Sequence, residues 1–83
     1  MVKWDELKNS PLEKKITGLY QYATFVMDIR YYRHKINLYL LGNDYLEVFI
    51  DHKNSSIDKI SPLDMGHTRM KFYYDQIKLP LNP

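Results

Sequence analysis

Three histidines, four serines and one run of cations and tyrosines are the side chains with chemistry to offer in this 83-residue chain. His34, His52 and His67 stand 18 and 15 residues apart, so no pair has the i, i+4 spacing that sets two imidazoles on one helical face for a metal. Asp51-His52, and Asp28 with His34, could orient an imidazole, but such a pair needs a nucleophile. Ser10 and Ser61 read as helix starts, Ser55 and Ser56 sit in a polar turn, and none lies in a glycine-flanked nucleophile elbow. Three glycines in all leave no phosphate-cradling loop, and with no cysteine there is neither thiolate chemistry nor a disulfide. The sequence therefore assigns no catalytic residue, no metal ligand and no cofactor. Asn54-Ser55-Ser56 matches a glycosylation sequon and, without an apolar leader, reads as a turn.

Arg30-Tyr31-Tyr32-Arg33-His34-Lys35 is the most suggestive stretch. Cations that hold phosphates, interleaved with rings that stack bases, are the ingredients of single-strand nucleic-acid surfaces. Arg30, Tyr31, Tyr32, Arg33 and Lys35 are the residues such a contact would use. The same cations have a structural reading: at the C-terminal end of a helix they complement the macrodipole, and no ligand is needed. Glu47, Asp51 and Asp44 near the sheet aromatics would repel a phosphate backbone.

Composition sets the frame. Twelve basic and ten acidic residues, with pI near 8.8, give too weak a bias to announce a nucleic-acid binder. At 45% hydrophobic and 27% charged the chain reads as one globular domain over residues 1–83, expected in the cytoplasm, with no membrane-length apolar run. Eight tyrosines are heavy for this length, and tyrosine suits half-buried faces and interfaces.

The elements that must position these residues give an α+β order: N-terminal helix, three-stranded antiparallel β-meander, C-terminal helix. Trp4 and Leu7 fit one docked helical turn. Ser10-Pro11-Leu12-Glu13 has the form of a capping box. The spacing of Leu12, Ile16, Leu19, Tyr20, Ala23, Val26, Met27 and Arg30 then predicts a helix over 11–32. Ala23, Phe25, Met27, Ile29 and Tyr31 also alternate, so strand is the rival reading of its second half. From Lys35 the period is two, with Gly42-Asn43-Asp44 as a tight turn. That reading sets Ile36, Leu38, Leu40, Leu46, Val48 and Ile50 under the first helix. Tyr39, Leu41, Tyr45 and Phe49 are then the opposite, aromatic face. A short third strand spans 57–60, and a second helix spans about 67–78 with Met70, Tyr73, Tyr74 and Ile77 as its stripe. Leu79 and Leu81 are expected to pin an extended tail.

A face carrying Tyr39, Leu41, Tyr45 and Phe49 needs a cover, and a helix of three turns is short for the task. The expectation is a protein–protein interface, most simply a homodimer or else another protein, with no membrane contact. The rival is RNA binding or cleavage. In length and element content the chain resembles the small bacterial ribonuclease toxins that cut messenger RNA on the ribosome. That resemblance makes Arg69, Lys71, Tyr73 and Tyr74 of the last helix eligible for such chemistry. The chain departs from those toxins in having no predicted strand before the first helix and in its weaker positive charge.

Overall fold

The computed structural model describes residues 2–77. The chain runs α1 (Trp4–Leu7), α2 (Leu12–Tyr22), β1 (Thr24–Tyr31), β2 (His34–Leu41), β3 (Asp44–Asp51), β4 (Ile57–Pro62) and α3 (Met70–Ile77). The class is α+β, as expected, but the antiparallel sheet has four strands in the order β1-β2-β3-β4. The extra strand is the second half of the predicted long helix. In Thr24-Phe25-Val26-Met27 β-branched and aromatic side chains crowd a helix and suit a pleated surface. The backbone turns extended at Ala23, whose N–H still donates to the Leu19 carbonyl at 2.8 Å.

The predicted capping box does not form. Pro11 is the N-cap of α2 and receives no side-chain bond, while the Ser10 N–H donates back to the Leu7 carbonyl at 2.9 Å. Ser10 thus closes α1 onto α2. Gly18 explains itself in the same contact: a Cβ there would lie 2.8 Å from Leu7 Cδ1, so its absence lets α1 dock on α2. Ser61-Pro62 is the end of β4 rather than a helix start. Asp64 holds the following turn through Gly66 N–H to Oδ1 at 3.0 Å, and α3 begins only at Met70.

One turn decides which side chains share a face. Leu41 pairs with Asp44, so the loop is the two residues Gly42-Asn43, with Gly42 at φ +62°. A loop of three residues would have placed Leu38 opposite Val48. The observed loop places Leu38 opposite Glu47, Ile36 opposite Phe49 and Tyr39 opposite Leu46. A slip of one residue turns every side chain of a strand to the other face. The expected grouping of Tyr39, Leu41, Tyr45 and Phe49 on one face is therefore corrected. Tyr39 and Leu41 belong with Leu46, Val48 and Ile60 beneath Leu19 of α2, with Trp4, Leu7 and Ile16 packed alongside. Phe49 belongs with Ile29, Ile36 and Leu38 beneath Met70 and Tyr73 of α3, and Tyr45 stands at the margin of that same face. Leu46, Glu47, Val48 and Phe49 are four consecutive buried residues, because β3 is covered on both sides. The predicted pinning by Leu79 and Leu81 lies outside the described residues.

Candidate functional site

α3 is attached to the sheet by a buried charge. The register that turns Leu38 toward α3 also turns Glu47 there, where its side chain is 0% exposed. Arg69, 8% exposed, meets it with a fork: Nε donates to Oε2 at 2.9 Å and Nη2 to Oε1 at 2.6 Å. The Tyr73 hydroxyl donates to Oε2 at 2.9 Å, so both carboxylate oxygens are bonded. A charge out of water is tolerable only when paired and hydrogen-bonded in this way. The Arg69 guanidinium also lies 5.2 Å from the Phe49 ring centre and 5.8 Å from that of Tyr31. Burial, then the neighbouring Glu47 carboxylate, pushes the Tyr73 phenol well above its ordinary range. The hydrogen bond to Glu47 raises Arg69 further. Glu47 thus fastens Arg69 and Tyr73 to the sheet.

On one side of this fastening an open groove of about 210 Å³ runs between the sheet and α3. Its walls are Val26, Met27, Leu38, Tyr45, Leu63, Met65, Met70, Tyr73 and Tyr74, with no charged side chain among them. Val26 and Met27 both reach it although they are consecutive, because Phe25 pairs with Tyr39 and Met27 with Leu38, leaving Val26 as a bulge. Met65 (64% exposed) and Tyr74 (56% exposed) stand at the rim, and Val26 and Tyr45 are also exposed.

On the other side of α3 lies a second depression, lined by Arg30, Tyr31, Tyr32, Thr68, Lys71 and Phe72. Here the dipole reading of the cations is corrected. Arg30 lies in β1 and Tyr32-Arg33 is the two-residue β1–β2 turn, so the cluster does not follow the C-terminal end of a helix. Most of the cluster is instead matched by carboxylates. Arg33 Nη2 lies 2.9 Å from Asp51 Oδ2, His34 Nε2 lies 2.8 Å from Asp58 Oδ2, and Lys35 Nζ lies 3.8 Å from Asp28 Oδ2. The Arg33 contact and the Lys53 amide together hold the Asp51 carboxyl down at about 2. Neither carboxylate–imidazole pair weighed from sequence is formed, since Asp51 binds Arg33 and Asp28 binds Lys35.

The expected interface residues are thus distributed. Leu41 and Phe49 are buried, Tyr39 is half-buried on the α2 side, and Tyr45 alone opens onto the groove. Of the residues eligible by resemblance to ribonuclease toxins, Arg69 and Tyr73 are bound to Glu47, while Lys71 and Tyr74 face different depressions. Sequence reasoning missed Val26 and Met27 as groove walls because it read them as a helix face, and Leu63 and Met65 because loop positions carry no period. It also missed the Glu47–Arg69 pair, for which the only signal was a lone acid between Leu46 and Val48. Among the described residues no three histidine or acidic side chains converge on a metal position, and no helix is long and apolar enough to cross a membrane. No family model, curated protein or solved structure matches the chain.

Proposed function

We propose that this chain is a non-enzymatic binding module that pairs with a second copy of itself through the groove between β1, β3 and α3. The observation that carries the reading is an uncharged groove with large apolar side chains standing free at its rim. Exposed apolar surface of this kind favours a partner over water. A second copy fits better than another protein for two reasons. The walls hold no charge, so two copies with formal net charge +2 each can meet there without opposing like charges at the contact. The groove also carries both halves of a fit: a hollow with room for one large side chain, and Met65 and Tyr74 projecting beside it. A two-fold axis then lets each copy's Met65 enter the other's hollow, the self-complementary geometry of an isologous interface. The bulge at Val26 disfavours simple strand addition along β1, so the contact is made by side chains.

Light scattering on protein eluting from a sizing column tests this. The expected mass is twice the 10.0 kDa chain. Met65→Glu with Tyr74→Glu is expected to return it to one chain with an unchanged circular dichroism spectrum, because both side chains are exposed. A single-chain mass for the unaltered protein across the accessible concentration range would overturn the reading.

A further inference from the structure

Within the Arg30–Lys35 run every cation but Arg30 has a carboxylate within ion-pair distance; beside α3 Arg69 also has one, whereas Lys71 on the helix has none among the described residues. Arg30 and Lys71 are the two that line the second depression, and no acid lines it with them. Asp75, one helical turn beyond Lys71, makes no ion pair with it. The remaining walls are aromatic. Tyr31 stacks edge-on against Tyr32 at 4.6 Å and against Phe72 at 5.8 Å, which fixes a wall of three rings. Tyr32 is 87% exposed, and its backbone sits at φ +56°, a conformation that tyrosine adopts at a cost and glycine freely. Nothing in the packing of the fold uses that ring beyond its contact with Tyr31. A strained turn that presents an unburied aromatic side chain in a depression shared with two cations is a feature of binding sites.

We propose that this depression binds single-stranded nucleic acid, with Arg30 and Lys71 on consecutive backbone phosphates and a base stacked on Tyr32. Thr68, which also lines the depression, can donate its hydroxyl to a phosphate oxygen. The site is separate from the apolar groove: Lys71 and Phe72 look toward the β1–β2 turn, whereas Met70, Tyr73 and Tyr74 look toward β3. Recognition by phosphate and ring face reads no base edge, so preference among sequences is expected to be slight.

Fluorescence anisotropy of a labelled oligouridylate and a labelled oligothymidylate at low salt tests the site. Both strands are expected to bind. Two phosphate contacts on a single strand imply a slope of about −1.4 in log affinity against log salt. Arg30→Glu with Lys71→Glu is expected to lower affinity at least about tenfold, while Lys14→Glu on α2, remote from the depression, leaves it unchanged. Tyr32→Gly separates binding from folding. It relieves the left-handed strain and raises the melting temperature, yet lowers affinity about fivefold or more through the lost stack. Competition by inorganic phosphate as effective, per phosphate, as the oligonucleotide would overturn the proposal in favour of a bare anion site. Failure of either strand to bind at low salt, or binding untouched by the double charge reversal, would overturn it outright.

Discussion

The two faces of the sheet solve the same covering problem differently. The α2 face is closed by two helices whose contact is aliphatic: Leu19 over Leu41, Leu46, Val48 and Ile60, with Leu7 seated where Gly18 has no side chain. The α3 face has one eight-residue helix, too short to span four strands, and it is fastened by a buried carboxylate held by Arg69 and Tyr73. Apolar packing is non-directional and can be spread over two helices. A bidentate ion pair fixes α3 at one point and one angle and, among the described residues, leaves the sheet open on both sides of it. Both candidate surfaces lie in those openings, the apolar groove toward β3 and the cationic aromatic depression toward the β1–β2 turn. The well-covered face supplies stability and the poorly covered face supplies surface.

This contrast can be broken at its strongest point first. Arg69→Ala strands Glu47 without a partner and is expected to destabilise the fold by about 3–5 kcal/mol in urea titration. Replacing the whole set together, Glu47→Leu with Arg69→Met and Tyr73→Phe, is expected to restore most of that loss, because apolar groups of similar volume avoid the desolvation of charge. If the triple variant were as unstable as the single one, α3 would be held by something other than the fastening. On the opposite face, Leu19→Ala leaves a cavity at a fully buried position and is expected to cost about 2–5 kcal/mol. No apolar repacking elsewhere in that cluster is expected to recover it as fully.

A smaller effect sharpens the role of the turns that border the second depression. The Asp51 carboxyl is held at about 2, below its ordinary 3.8, by Arg33 and by the Lys53 and Asn54 amides. A lowered folded-state value means that this contribution is complete above pH 3.8 and disappears as pH falls toward 2. Melting temperature is expected to drop over that interval, and Asp51→Asn to flatten the drop. Equal slopes for the two proteins would place the acid sensitivity elsewhere. Smallest of all, Met65→Glu with Tyr74→Glu is expected to change the stability of the isolated chain by no more than about 0.5 kcal/mol, since both are surface positions.

The sequence carried the start of α2 and the element order from β2 to α3, because periods of 3.6 and 2 are separately legible there. Residues 23–31 satisfied both periods at once, with neither glycine nor proline between Tyr22 and Thr24 to mark the change. β propensity in Thr24-Phe25-Val26 was the signal that should have decided it. The faces were lost at a single turn. Gly42-Asn43-Asp44 and Gly42-Asn43 are equally good local chemistry, yet they differ by one residue and so invert the partners of β3. With that inversion Ile36 and Leu38 passed to the α3 side and the aromatic set split between two faces, while Glu47 stayed on the Tyr45–Phe49 face that α3 covers. The cations of the β1–β2 turn were legible as a cluster. That Arg33 and His34 would meet carboxylates depends on strands 18 and 24 residues away, which no local pattern encodes.

In the proposed dimer, α3 leaves a groove that a second copy fills with its own rim. A mixed sample of protein carrying labelled methionine methyls and unlabelled protein, observed by isotope-filtered nuclear Overhauser spectroscopy, addresses that contact directly. Cross-peaks from the Met65 methyl of one copy to the Tyr45 and Tyr74 rings of the other are expected. A sample that is dimeric by mass but shows no Met65 cross-peak, or one that stays monomeric, would contradict it.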